Sequence, residues 1–383
     1  MRVQLSSDGH TCADCRARAR ATVVAASVLV STAAMQAPSQ AQTRPERGQV
    51  ALKMLDYLDS QPGASRVRVR AASAALLAPM GDSWSVAGSS TVDSISGASP
   101  LLQSRVLTPL TDLRRAMEGQ ITHYPRWGSV SVGANVSSER DYLSRGVVAQ
   151  ATLATPSRNT TWAFGMARND DVINSSNRVA IGERKTVDST LLGVTQVLTR
   201  HDLVQLNLSR SISRGYLSDP YKFADQRPDS RDAQVLLLRW NHHEPEGGRS
   251  WRWSWRYFRD SWSVRSHTLG LEVHQSLPEG WAVVPLIRLY AQTAASFHVK
   301  AEDSSYPFVP MMPGPYTEDQ RLSAFGAGTV GLKVIRRLGP DWTLDAKFER
   351  YEQRAAWSFL AEGSPGLAPF RARSIQLGMA RAF

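Results

Sequence analysis

The chain has 383 residues, with 45 Lys and Arg against 34 Asp and Glu, a net charge of +11 and 42% hydrophobic residues. Arg supplies 39 of the 45 cations, a bias that suits phosphate recognition or an anion-attracting channel. Past the first 41 residues no run approaches the ~18 apolar residues of a membrane helix, which excludes a helical membrane protein.

Taken in chain order, residues 1–41 read as a cleaved secretory leader. Arg16, Arg18 and Arg20 precede an apolar stretch over 21–35, and Ser39 and Ala41 put small side chains at the minus-three and minus-one positions of a cleavage site. Export makes nucleic acid an unsuitable partner for the basic surface. "CADC" (Cys12 to Cys15) has the spacing of a redox or metal pair, yet both cysteines lie upstream of the apolar stretch and leave with it. The mature chain, 42–383, then holds neither thiol nor disulfide, and its stability has to come from strand pairing and burial.

From there short alternating runs recur. The pattern predicts strands near 49–58, 65–77, 82–93, 115–124, 128–138, 143–153, 158–168, 186–199, 202–212, 232–242, 250–260, 264–276, 280–292, 323–336, 341–351 and 373–383. Every second connection is tight: "APMGDS", "PRWG", "TPSRN", "TRHD", "HEPEGG", "LPEG" and "LGPD". The intervening ones include the long excursions 94–114, 169–185, 213–231, 293–322 and 352–372. An even strand number, with short turns at one rim and longer loops at the other, predicts an all-β, antiparallel up-and-down transmembrane barrel of porin type. No repeat of ~40–50 residues supports a propeller.

A Trp falls at or just after most tight turns: Trp84, Trp127, Trp162, Trp251, Trp281 and Trp342, six of the 11 in the chain. An indole favours the headgroup level, so these predict an aromatic girdle at one rim, with Phe383 at the same level. The final run, "SIQLGMARAF", carries Ile375, Leu377, Met379, Arg381 and Phe383 on one face. It resembles the C-terminal signal read by outer-membrane assembly machinery, apart from Arg381, where an apolar residue is usual.

Several strands give an apolar outward stripe, such as Val204, Leu206 and Leu208, or Trp251, Trp253 and Trp255, opposite small or polar residues. Arg or Lys at the bilayer midplane costs about 2–4 kcal/mol, so charges in strands are assigned inward. That gives candidate lumen cations Arg66, Arg68, Arg70, Arg239, Arg252, Arg256, Arg288, Lys333 and Lys347, against Glu272, Asp345 and Glu349. Sixteen strands are too many for side chains alone to fill. The segment 94–114 is the candidate loop to enter the lumen, with Thr108-Pro109 opening a short helix.

Enzyme constellations are absent: there is no Walker loop, HExxH or Gly-x-Ser-x-Gly. "HHEPE" (His242 to Glu246) reads as a turn. "NDDVINSSN" and "DQRPDSRD" read as solvated loops, with calcium the sharper alternative. Ser94, His123 and Asp93 form the best available hydrolase trio, and their spacing is unspecific. The expectation is therefore no catalysis, no metal and no cofactor.

The segment over 57–99 holds "QPG" (Gln61 to Gly63), "RVRVRA", Ala78-Pro79, Trp84-Ser85 and "DSISGAS" (Asp93 to Ser99); "SSERDY" and "LSRG" follow over 137–146. These resemble an uncharacterised proteobacterial outer-membrane family, domain of unknown function 3570. The resemblance implies an outer-membrane barrel in a Gram-negative bacterium and supplies no catalytic residue. The expected partners are the lipid bilayer with lipopolysaccharide, the assembly machinery and a periplasmic protein. The expected function is a pore or channel for small solutes, with anion preference and cross-strand neutralisation of the lumen charge both open; a scaffold barrel holding an exported redox protein or lipoprotein is the alternative, and a barrel hydrolase a weaker one.

Overall fold

The computed structural model describes residues 43–102, 104–308 and 314–383. The leader over 1–41, with Cys12 and Cys15, lies outside the described residues. Sixteen strands follow in order: β1 (Gln49–Gln61), β2 (Ala64–Met80), β3 (Trp84–Leu102), β4 (Arg105–His123), β5 (Gly128–Ser138), β6 (Tyr142–Ala154), β7 (Thr160–Ile173) and β8 (Glu183–Val197). The second half comprises β9 (Asp202–Gly215), β10 (Ser230–Glu244), β11 (Arg249–Asp260), β12 (Arg265–Ser276), β13 (Trp281–Gln292), β14 (Phe325–Leu338), β15 (Trp342–Arg354) and β16 (Phe370–Ala382). Each strand pairs antiparallel with its sequence neighbours and β1 pairs with β16, so the sheet closes on itself. The seam runs from Gln49↔Ala382 to Ser60↔Arg371. It is fastened at its end by reciprocal hydrogen bonds, 2.9 Å each, between the backbones of Gly48 and Phe383. Closure leaves no unpaired sheet edge around the ring below the β3–β4 hairpin tip, which a chain in hydrocarbon requires.

Directly paired residues share a face of the sheet, so the register assigns inside and outside. Met54, Leu377, Ala346, Val334 and Val283 form one continuous row across five strands. Met54 is 65% exposed and Leu377 54%. Apolar residues this bare, repeated round the ring, far exceed the patch a water-soluble surface carries. The molecule is a transmembrane β-barrel whose outer face meets lipid.

The buried clusters sit at the long-loop rim. Val67 and Ile95 pack on Tyr221, Trp262 and Val264 on Ala295 and Leu322, and Phe325 and Ala327 on Leu367. Polarity therefore inverts along several strands. Within the membrane the outer face is apolar and the inner face polar; at the long-loop rim apolar side chains turn inward beneath the loops and charges turn outward.

Two expectations change. The segment 94–114 does not enter the lumen and holds no helix at Thr108-Pro109: β3 and β4 run straight through it, paired from Trp84↔His123 to Leu102↔Arg105. The tall hairpin tolerates Pro109 because β4 pairs with β5 only from Arg115 onward, leaving residue 109 on a free edge where its missing N–H is harmless. Arg68 and Arg70, assigned inward from sequence, lie on the outer face: Arg70 is opposite Asp56 and Arg68 opposite Leu58, in phase with the lipid-facing Met54. The register breaks between Leu58 and Ser60. Beyond that break Arg66 is turned inward and buried beside Asp59, at 3.8 Å. Gly97 allows the same kink in β3: with φ +127°, a Cβ there would lie 1.8 Å from the Arg66 carbonyl oxygen.

Candidate functional site: the inner wall and the loop dome

The inner wall carries the remaining candidate cations. By register Arg239, Arg252, Arg256, Arg288, Lys333 and Lys347 all share the inner face with Asn207, Ser254 and Gln376. Three have carboxylate partners: Arg252 with Glu272 at 3.1 Å, Lys333 with Asp345 at 3.5 Å and Lys347 with Glu349 at 3.0 Å. The other three do not, among the described residues. Arg239 donates to the Gln205 side-chain Oε1 at 3.1 Å, and Arg256 stands over the Phe258 ring at 5.6 Å. Among the candidate cations the ones without a carboxylate partner, Arg239, Arg256 and Arg288, stand on β10, β11 and β13; Lys53 of β1, also inward by register beside Ser73 and Gly378, adds a further cation at the seam without such a partner among the described residues.

Over the long-loop mouth the connections interlock. Strands lie ~4.8 Å apart, so β4 and β9, five steps apart, are rooted ~24 Å from each other around the wall. The tip of β3, next to β4, nevertheless meets the β9–β10 connection: the Lys222 ammonium donates to the Pro100 carbonyl, and the Phe223 N–H to the Leu101 carbonyl at 3.2 Å. The tip of the β3–β4 hairpin reaches further, with Arg105 donating to the Ala301 carbonyl at 3.3 Å and Ser104 Oγ accepting from the Ala368 N–H at 2.8 Å. Residues 226 and 316 exchange backbone hydrogen bonds of 2.8 and 2.7 Å, joining the β9–β10 and β13–β14 connections. The Tyr221 hydroxyl donates to Asp141 and accepts from the Ser176 N–H at 2.9 Å. Six connections thus form one dome.

An ionic network lies at the centre of this dome. The Asp319 side chain is fully buried, with Arg227 Nη2 at 2.8 Å and Arg321 Nε at 2.7 Å. Arg321 also reaches Asp219 at 2.5 Å. Arg227 Nε lies 2.8 Å from Asp225, an ion pair outside hydrogen-bond alignment. Burial pushes the Asp319 carboxyl up, but the charges of Arg321, Lys222 and Arg227 outweigh it and hold the group well below the usual carboxylate range. Burial pushes the nearby His298 imidazole down to about 4, against a weaker opposing pull from Asp319. "DQRPDSRD", read from sequence as a solvated loop, is partly this network, since Asp225 and Arg227 belong to it.

A second cluster escaped the sequence reading. Asp112, Glu139 and Asp141 place carboxylate oxygens within 4.8 Å of one another. Burial, aided by Asp112, pushes the Glu139 carboxyl up to about 8. The signal was present in "SSERDY", which holds two of the three, but only the tall β4 supplies Asp112. Ser94, His123 and Asp93 are not brought together: Asp93 is inward and ion-paired to Arg114 at 2.7 Å, Ser94 is on the opposite face, and His123 packs on Trp84 at the far rim.

At the tight-turn rim Trp84, Trp162, Trp251, Trp281 and Trp342 face outward near the starts of their strands, and Trp127 stands exposed in the turn before β5. Arg336 lies over Trp281 at 4.8 Å, and Arg381 over Trp342 at 5.3 Å. The cation in the final apolar run is therefore seated on an indole at the headgroup level, where its charge reaches water. Phe383 is 58% exposed at the same rim.

The closed sixteen-stranded sheet, its lipid-facing outer surface and its polar inner wall define a transmembrane β-barrel of the outer-membrane type. The chain belongs to the family described as protein of unknown function (DUF3570), which matches residues 103–182 and 173–370. That match includes the "SSERDY" and "LSRG" segments and begins downstream of the resemblance read over 57–99. No curated protein matches the sequence. Among solved structures it is similar to a bacterial polysaccharide outer membrane secretin, with 8% identity over 87% of this chain and 97% of that one and a TM-score of 0.49. It is also similar to OccK11 (OpdR) of Pseudomonas aeruginosa, with 9% identity over 88% and 96% and a TM-score of 0.45. The siderophore receptor PirA of the same organism gives 11% identity over 89% and 81%, with a TM-score of 0.44.

Proposed function

We propose that this barrel is a pore in the outer membrane of a Gram-negative bacterium that passes small anionic solutes and is covered at its outer mouth by the loop dome. The tight-turn rim faces the periplasm and the long loops face outward. The observation that carries the reading is the inner-wall sector on which Arg239, Arg256 and Arg288 stand without carboxylate partners. Arg252, Lys333 and Lys347 have carboxylate neighbours, while these three arginines and Lys53 do not, so the residual field in the lumen is positive and lowers the barrier to anions. The dome supports restricted rather than free passage, since its network must part or leave a narrow gap for a solute.

Reversal potentials of the refolded protein in a planar bilayer, under a potassium chloride gradient, test this. Anion preference is expected, reduced in Arg256→Gln/Arg288→Gln; cation preference would overturn the proposal. The interlocked dome favours one second reading, a barrel held shut as a scaffold for a periplasmic partner, and silent bilayers with a correctly inserted barrel would select it.

A further inference from the structure

We infer that the outer face at the long-loop rim docks the phosphates of an outer-leaflet glycolipid, anchored by two cross-strand arginine pairs; this rests on the membrane orientation given above. Arg350 of β15 stands directly opposite Arg373 of β16, and Arg259 of β11 directly opposite Arg265 of β12. All four are exposed and in phase with the lipid-facing residues below them, Phe348 and Ile375 in one pair and Tyr257 in the other.

Like charges directly opposed on one face of a sheet repel. Several other arginines on this outer face have a carboxylate at hand. Asp56 takes Arg68 at 2.6 Å and Arg70 at 3.3 Å, Asp232 takes Arg210 at 2.6 Å, and Asp188 takes Arg168 at 3.3 Å. Neither of the two opposed pairs has such a partner among the described residues; Arg259 donates only to the Gln234 carbonyl, at 2.8 and 3.1 Å. Asp232, already held by Arg210, attracts Arg259 only at a distance, so neither pair has an ion-paired counter-charge of its own among the described residues.

Position along the strands says what supplies it. Arg350 lies eight residues beyond Trp342 and Arg259 eight beyond Trp251. At ~3.3 Å per residue and a tilt of ~40°, that is a rise of ~20 Å from the girdle, close to the height of a barrel's apolar band. The guanidinium groups therefore sit at the far headgroup level with acyl-chain contacts immediately beneath. A ligand fitting both surfaces carries phosphate above and acyl chains below. Guanidinium binds phosphate oxygens in a bidentate fork, and cross-strand neighbours ~5 Å apart at Cβ can share one phosphate. A free anion would have no use for the apolar shelf.

The refolded full-length barrel in detergent, titrated with purified lipopolysaccharide and followed by native mass spectrometry, tests this. Binding should weaken with salt. It should fall about tenfold in Arg350→Gln/Arg373→Gln and again in Arg259→Gln/Arg265→Gln, and stay unchanged in Arg381→Gln at the opposite rim. Enzymatically dephosphorylated glycolipid should bind the native barrel weakly, and millimolar inorganic phosphate should not compete. Undiminished binding in both double variants, equal binding of the dephosphorylated lipid, or full competition by phosphate would each overturn the assignment. Bilayer conductance of the same variants separates the two readings. A double variant that loses lipid and conducts normally supports lipid docking alone, whereas a native barrel that binds lipid and never conducts removes the pore reading and leaves the docking surface standing.

Discussion

Replacing Asp319 with Asn should loosen the dome and leave the barrel intact. The carboxylate is fully buried between Arg227 at 2.8 Å and Arg321 Nε at 2.7 Å. Removing one partner of a buried ion pair costs about 3–5 kcal/mol, because a charge is stranded away from water. The lower end applies here: Arg321 keeps Asp219 at 2.5 Å and Arg227 keeps Asp225 at 2.8 Å, so neither guanidinium is left bare. A loss of about 3 kcal/mol shifts the closed-to-open ratio of the dome roughly a hundredfold, at 1.4 kcal/mol per decade. The sixteen-stranded ladder contains none of these groups except through its loops, so heat-modifiable gel mobility should match the native protein. Two measurements read the dome itself: single-channel recordings, in which open time should lengthen, and limited proteolysis, in which cleavage between β9 and β10 and between β13 and β14 should quicken. Native-like recordings and protection in a correctly folded Asp319→Asn barrel would refute the claim that this network holds the connections together.

Acid should weaken the same dome through His298. His298 has its proton affinity lowered from 6.5 to about 4 in the closed form, so an opened form binds more protons between those values. The contribution of His298 to closure is complete above pH 6.5 and is lost as the pH falls toward 4, by up to about 3 kcal/mol. Glu139, raised to about 8, acts in the opposite sense, so the measured quantity is the difference in conductance between the native barrel and His298→Gln from pH 7 to 4.5, which should grow as the pH falls. On the outer wall, Leu206→Arg should cost about 2–4 kcal/mol of stability in lipid vesicles, because Leu206 sits between Val194 and Leu238 in the lipid-facing row. Asn207→Arg, one residue along and inward, should cost far less by the same urea-unfolding measurement, and equal losses would mean the faces are misassigned. Gly97→Ala should destabilise the barrel by about 1–3 kcal/mol through its positive φ alone, with more from the clash against the Arg66 carbonyl. Gly119→Ala, where a Cβ meets nothing within 4 Å, should be nearly neutral in the same unfolding assay.

Much of the barrel was legible because its wall obeys local rules. Alternation with period two, a turn every second connection and a Trp beside it located all sixteen strands. What failed lay beyond the hydrocarbon. Arg68 and Arg70 were placed inward by a rule that holds only inside the membrane; at their level the outside is headgroup and the inside is packed beneath Tyr221. Thr108-Pro109 suggested the start of a helix, and pairing on one side alone lets Pro109 stand in a strand instead. The dome was hidden because its partners are far apart in sequence: Asp319 meets Arg227 across 92 residues and Lys222 meets Pro100 across 122. Nothing local distinguishes these charges from those of a solvated loop. Glu139 and Asp141 were visible as a pair, while Asp112 joined them only through the unforeseen height of β4.

The seam between β1 and β16 has a kinetic consequence. Ser60 and Arg371 are neighbours there although more than 300 positions separate them, so the last contact to form demands that nearly the entire polypeptide be present first. Until that moment the growing sheet has two raw borders, each able to recruit a stray strand. Such non-local closure is slow, and a chain of this design needs a host that guards both borders during the wait.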